Sequence, residues 1–156
     1  MEEIKQTTER SIVPKWIHPD LSHEKGEIER VIEEFLGRDL NEKAVQEIVA
    51  ELESAPIVEL SDELWAKLEN TDSWKIEPGD IEEVRAITQK YNQELSPENK
   101  RSLENTLEGF RQGREMQVPV IVRDKNGTLH LLNGNTRLMI ARALKIRPHV
   151  IVAETI

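Results

Sequence analysis

The chain has 156 residues, no cysteine and a formal net charge of −9, with 21 Lys and Arg against 30 Asp and Glu. This length suits one compact domain, or one domain with a helical extension. The absence of cysteine excludes structural disulfides, thiol catalysis and cysteine-ligated metal sites, and the acidic balance argues against a nucleic-acid-binding surface that covers the whole chain.

The sequence contains no candidate for a membrane-spanning segment, because no apolar run approaches the roughly 20 residues that a bilayer requires. Residues 1–5 are acidic and polar, without the basic start and apolar stretch of a signal peptide. We therefore expect a soluble, cytoplasmic protein that has no membrane partner.

In chain order, the first two parts are an arm and an acidic helical portion. Residues 1–22 contain two prolines and little periodicity, which predicts an extended arm. In residues 23–95 apolar side chains recur at the three- and four-residue spacing of amphipathic helices, and Ser61-Asp62-Glu63-Leu64 predicts a capped helix start. The third part, residues 96–156, opens with Ser96-Pro97-Glu98, which predicts a helix that ends at Gly113.

After this helix the sequence predicts a small sheet. Residues 118–122 and 149–152 are β-branched runs, and Asn126-Gly127 between them predicts a hairpin because both residues tolerate positive φ. Residues 128–132 return as a second strand, and residues 136–146 form a helix. The predicted fold is α+β, with a helical N-terminal portion followed by a small mixed sheet on which one helix packs.

The turn Asn133-Gly134-Asn135-Thr136-Arg137 joins the second strand to the last helix and is the candidate functional site. The first amides of a helix have no partner within it and lie at the positive end of the helix dipole. A glycine just before them lets an anion approach the backbone. Asn135 or Thr136 would be the N-cap, and the turn is predicted to hold a phosphate.

Arg137 strengthens this prediction because a cation in the first turn of a helix is unfavourable by about 0.3–1 kcal/mol unless an anion accompanies it. Arg142 would widen the basic surface. His130, on the strand that leads into the turn, would reach a bound ligand as a donor or base, although a plain surface histidine is the simpler interpretation.

The charge is unevenly distributed along the chain. Residues 114–156 carry seven cations and three acids, a balance of +4, whereas residues 1–113 have a balance of −13. Such asymmetry indicates a part that faces an anion. It is also the one feature that favours DNA as a partner.

The C-terminal third resembles the ParB/sulfiredoxin family of domains. In that family a short helix precedes a strand, a glycine-led polar motif with arginine, a helix and a final strand. The stretches that carry the resemblance are residues 103–113, Val118-Pro119-Val120-Ile121-Val122-Arg123, Leu131-Leu132-Asn133-Gly134-Asn135-Thr136-Arg137-Leu138, Ala141-Arg142-Ala143-Leu144 and Ile146-Arg147-Pro148-His149-Val150-Ile151-Val152.

The resemblance implies a ββαβ unit whose glycine-led motif binds the phosphates of a nucleoside triphosphate or diphosphate, with or without Mg²⁺. Family members include CTP-binding partition proteins, ATP-dependent sulfiredoxins, free-serine kinases and phage or plasmid proteins labelled ParB-like nucleases. By position, Gly134 matches the motif glycine and Arg137 its arginine. Sulfiredoxin chemistry is excluded because it needs a cysteine, and the motif offers no catalytic carboxylate.

Three hypotheses about function follow. The first is a nucleotide-binding protein, with hydrolysis or phosphoryl transfer left open and no catalytic residue assigned. The second is a DNA-binding or DNA-nicking protein, and the third is a non-catalytic protein whose acidic helices bind a partner. The cluster His18, Asp20, His23 and Glu24 has metal-ligand types, but its proline-broken setting favours a solvated loop, so no metal site is assigned. The oligomeric state is left open.

Overall fold

The structure is a computed structural model that describes residues 13–21, 25–34, 42–69, 71–94, 103–124 and 126–154. Within these ranges the protein is a mixed α+β structure, which confirms the predicted class. The predicted boundaries between the three parts of the chain, at 22/23 and 95/96, lie outside the described residues, and so does the predicted helix start at residues 96–98.

Helices dominate the part before the sheet, and one further helix follows the hairpin. The Ser61 hydroxyl accepts a hydrogen bond from the Leu64 amide at 3.2 Å, which confirms the predicted capped start. A 3-10 turn spans Ser73–Lys75. The described α-helices are α1 (Lys25–Glu34), α2 (Glu42–Ser54), α3 (Asp62–Ala66), α4 (Ile81–Glu94), α5 (Leu103–Gln112) and α6 (Asn135–Ala143).

The described strands form two sheets, and their bounds are β1 (Lys15–Ile17), β2 (Val58–Glu59), β3 (Glu115–Gln117), β4 (Val120–Arg123), β5 (Leu129–Asn133) and β6 (His149–Glu154). The larger sheet has the order β2-β6-β4-β5. Strand β4 pairs antiparallel with β5 and parallel with β6, and β2 pairs antiparallel with β6. Strands β1 and β3 pair parallel as a separate two-stranded sheet.

The short strands β1, β2 and β3 were not predicted. Residues 15–17 lie in the predicted extended arm, yet they pair with β3. The predicted strand over residues 118–122 begins only at Val120, because the chain passes from one sheet to the other just before it. The Val118 amide donates to the Ile17 carbonyl at 3.0 Å, whereas the Pro119 carbonyl accepts from the Ile151 amide at 3.2 Å.

Both faces of the larger sheet are covered, so the prediction of one packed helix was wrong. Successive strand residues point to opposite faces. Ile121 and Val150 belong to a core cluster with residues of α5 and α6, whereas Val122 and Ile151 belong to a second cluster with residues of α1 and α2. The sheet is therefore the middle layer of three, and α6 lies on one side of it only.

The hairpin between β4 and β5 is where the sequence predicts it. Gly127 has a φ of 82°, whereas Asn126 is not among the described residues with positive φ. The Asp124 carboxylate organises the loop instead: it accepts from the amides of Asn126 at 2.8 Å and Thr128 at 3.0 Å. An aspartate that bonds to nearby amides in this way favours a turn.

Thr88 on α4 is 2% exposed, and its hydroxyl has no hydrogen-bond partner within the described part of the chain. A buried hydroxyl without a partner is destabilising, so Thr88→Val should raise the free energy of unfolding by about 1 kcal/mol. Urea unfolding measures the change. Thr88→Ser is the matched control, because it keeps the hydroxyl and removes a methyl group; if serine stabilises as much as valine, the explanation is wrong.

Candidate functional site

The predicted phosphate turn connects β5 to α6 through a single residue. Gly134 is the N-cap of α6, with a φ of 103° and a ψ of 15°, and no side chain caps this helix start. The predicted N-cap, Asn135 or Thr136, is therefore wrong, and the helix begins one residue earlier than predicted. The left-handed conformation of Gly134 turns the chain so sharply that Asn135 is already helical.

The glycine at this position has a structural reason of its own. A Cβ atom added to Gly134 would lie 2.6 Å from the Cβ atom and 2.8 Å from the Cα atom of Pro119. The missing side chain thus makes room for the residue that precedes β4. The prediction that this glycine admits an anion is not needed to account for it.

Asn135 is held by the segment that precedes the 3-10 turn. Its side-chain oxygen accepts a hydrogen bond from the Thr71 hydroxyl, and the Thr71 oxygen in turn accepts from the Ser73 amide at 3.3 Å. Thr136 is half-buried in the first turn of α6. The amides of residues 135–137 precede the first intrahelical bond, which runs from the Leu138 amide to the Gly134 carbonyl at 2.9 Å.

Arg137 lies half-buried over the turn. Its guanidinium donates to the carbonyl oxygen of Gln117 on β3, and its Nη2 lies 3.5 Å from the side-chain oxygen of Asn133. Both of these acceptors are neutral. The first turn of α6 contains no acidic residue. A guanidinium and the positive end of a helix dipole therefore lie together, as the sequence predicts.

His130 does not join this group. It lies on β5 between Leu129 and Leu131, which belong to the core cluster on the α6 face, so its side chain points to the opposite face of the sheet. It is 7% exposed, and its Nε2 lies 3.0 Å from Oδ2 of Asp124. The interpretation as a surface histidine was also wrong, because helices cover that face too.

The hydrogen-bond partner of this histidine is Asp124, which the sequence did not single out. The hydrogen bond from His130 is the main reason that the pKa of the Asp124 carboxyl lies below its ordinary value, and the two loop amides lower it further. The local signal was available, because aspartate two residues before Asn-Gly is a frequent turn residue. The contact with His130 depends on strand register, which no local pattern gives.

Arg142 likewise lies away from the turn. Its Nε donates to the Ile76 carbonyl at 3.0 Å, and the guanidinium carbon is 3.8 Å from the centroid of the Trp74 ring. The side chain therefore fixes α6 to the segment after the 3-10 turn, and a cation over an indole ring is a stabilising contact. Of the seven predicted binding residues, the structure brings together residues 133–137 and separates His130 and Arg142 from them.

Two of the cations in the positively charged C-terminal part, residues 114–156, are paired with acids. Arg123 pairs with Glu154 at 3.1 Å, and Arg147 pairs with Glu59 at 3.4 Å and with Asp62. These ion pairs weaken the argument for DNA as a partner, which depended on the +4 charge balance of residues 114–156.

Two further predictions concern metals and membranes. Of the His18 cluster, His23 and Glu24 lie outside the described residues, and the His18 ring nitrogen is 3.1 Å from the Ala55 carbonyl. No group of three or more potential metal-ligating side chains occurs within the described ranges. Among the helices described, none is long and apolar enough to cross a bilayer.

Comparison of the chain with known protein families, with curated proteins and with solved structures finds no match. The ParB/sulfiredoxin resemblance thus remains a prediction from the residues quoted above. The arrangement of residues 133–137 has to be interpreted from its own chemistry.

Proposed function

We propose that the protein binds a phosphate-bearing small molecule, a nucleoside diphosphate or triphosphate, at the start of α6. The observation that carries this proposal is the first turn of α6, which combines an arginine with the positive end of the helix dipole and has no acid. An anion between the guanidinium and the helix start would be attracted by both.

The position of the guanidinium supports the same function. Contacts to Gln117 and Asn133 hold Arg137 over the turn, so an incoming phosphate would meet a side chain that is already ordered. The chain order β4, β5, α6, β6 is the order that the ParB/sulfiredoxin resemblance implies. Phosphate binding at such a strand-to-helix turn is common chemistry.

Binding is tested by titrating the protein with ATP, CTP, GTP and ADP, each with and without Mg²⁺. The melting temperature and the phosphorus resonances of the nucleotide are the two measurements. We expect at least one nucleotide to raise the melting temperature, because a ligand that binds only the folded state stabilises it. If none of them does so at millimolar concentration, the proposal fails.

Arg137→Gln should weaken nucleotide binding about 10- to 100-fold, since hydrogen bonds to charged groups contribute about 1.5–3 kcal/mol. Arg123→Gln is the matched control: this arginine is also half-buried, but it lies at the other end of β4 and pairs with Glu154. Equal losses in the two variants would contradict the assignment of the site to Arg137.

Asn135→Asp provides an independent test in which stability and binding change in opposite directions. The aspartate keeps an oxygen for the Thr71 hydroxyl and adds a negative charge to the first turn, which should stabilise the unliganded protein by about 0.3–1 kcal/mol. The same charge repels a phosphate, so nucleotide affinity should fall. A variant that is stabilised and still binds nucleotide with unchanged affinity would place the ligand elsewhere.

A further inference from the structure

A second feature lies at the opposite end of α6, where a cleft of about 930 Å³ opens beside the helix C-terminus. Its apolar wall includes Trp16 and Phe110, whose rings meet edge to face with centroids 5.6 Å apart. The His149 ring lies 6.0 Å from that of Trp16. Leu144 and Ile146 extend the apolar wall. The volume falls within the range of small-molecule sites, roughly 300–1,000 Å³.

The charged residues of this cleft are mostly cationic. Arg111, Lys145 and Arg147 line it together with one acid, Glu59. Glu59 already pairs with Arg147, and that arginine also donates to Asp62. Within the described part of the chain, Arg111 and Lys145 form no ion pair. In a protein with a net charge of −9, two cations that form no ion pair among the described residues thus lie at the edge of an apolar cleft. Arg111 acts on an acid of its own helix, Glu104, from beyond ion-pair distance, and its charge contributes to the lowered pKa of that carboxyl.

The backbone of Lys145 is an independent indication. Its φ is 62°, and it is the one non-glycine residue with positive φ among those described. The Ile146 amide donates to the Ala141 carbonyl at 2.8 Å and the Lys145 amide to the Arg142 carbonyl at 3.2 Å. This helix ending normally has glycine at the left-handed position. Lysine at this left-handed position strains the backbone, but it also supplies a cation to the cleft. Backbone strain of this kind is typical of functional positions.

We propose that this cleft binds a small organic anion with a flat apolar body. The apolar part would contact Trp16, Leu144 and Ile146, and the anionic group would face Arg111 and Lys145. The cleft lies about 13.5 Å along the helix from the turn at Gly134, given nine residues at 1.5 Å each. It is a separate site, and its ligand need not contain phosphate.

A matched pair of fluorescent probes tests the chemistry directly. 8-Anilinonaphthalene-1-sulfonate carries a negative charge on an aromatic body, and N-phenyl-1-naphthylamine has nearly the same body without the charge. We expect the folded protein at pH 7 to bind the sulfonate about tenfold more tightly than the amine, because the charged group gains ionic hydrogen bonds. Equal affinities would overturn the proposal.

Variants at the edge of the cleft locate the binding. Lys145→Gly should raise the melting temperature by about 2 °C, since glycine adopts positive φ without strain, and should lower the preference for the sulfonate. In the Arg111→Gln/Lys145→Gly double variant that preference should fall to about one, as expected when both ionic contacts are lost. A preference that survives in this folded double variant would overturn the proposal.

Two controls keep this proposal distinct from nucleotide binding. Lys75→Gln removes an exposed lysine that pairs with Asp72 away from the cleft, and it should leave the preference for the sulfonate unchanged. Arg137→Gln should also leave it unchanged, and Lys145→Gly should not alter a nucleotide-induced rise in melting temperature. If Arg137→Gln abolishes the preference for the sulfonate, the probe binds at the turn and the cleft proposal is wrong.

Discussion

Gly134→Ala is expected to destabilise the protein by about 3 kcal/mol or more. An alanine in the left-handed conformation costs about 1–2 kcal/mol, and the overpacking caused by its Cβ atom adds about 1–3 kcal/mol. Gly134 has a φ of 103°, and the new Cβ atom would lie 2.8 Å from the Cα atom of Pro119. A backbone atom cannot move aside as the end of a side chain can. The turn, β4 or both would have to shift.

The measurement is urea unfolding, with Gly127→Ala as the control. Gly127 also has positive φ, at 82°, but nothing lies within 4 Å of the position of its Cβ atom. Alanine at residue 127 should therefore cost only the conformational strain of about 1–2 kcal/mol. The difference between the two variants isolates the contact with Pro119, and equal losses would contradict the close packing that we describe.

Asp124→Ala is expected to cost about 3 kcal/mol, because it removes three hydrogen bonds at about 1 kcal/mol each. The amides of Asn126 and Thr128 lose their acceptor, and so does His130, which is buried on β5. Thermal or urea unfolding measures the loss. Asp124→Asn is the matched variant, because its amide oxygen can still accept from the loop amides, so it should lose markedly less.

The same residue should make stability depend on pH in the acid range. The pKa of Asp124 in the folded protein lies below its ordinary value of 3.8, chiefly because of the His130 hydrogen bond. A lowered pKa means that the stabilisation is fully present above about pH 4 and is lost as the pH falls through the folded-state pKa. The destabilisation caused by Asp124→Asn should thus shrink between pH 6 and pH 3, and a constant difference would contradict this.

The local sequence predicts some of the polar residues of the candidate site correctly and others not. The turn at residues 133–137 and the unusual Arg137 were recognisable because a strand, a glycine and a helix follow one another directly. His130 and Arg142 were assigned to the same site only because they are close in sequence. Strand alternation turns His130 to the other face of the sheet, and Trp74, 68 residues earlier in the chain, binds the guanidinium of Arg142.

The α+β class, the capped start at Ser61, the position of the hairpin and the turn before α6 could all be predicted from the sequence, because periodicity and turn chemistry are local properties. The strands at residues 15–17 and 58–59 could not be predicted, since two or three residues show no period and gain their hydrogen bonds from distant partners. The helices on both faces of the sheet and the contact that makes Pro119 require a glycine at residue 134, 15 residues away, were equally hidden, because packing brings together residues that no local pattern relates.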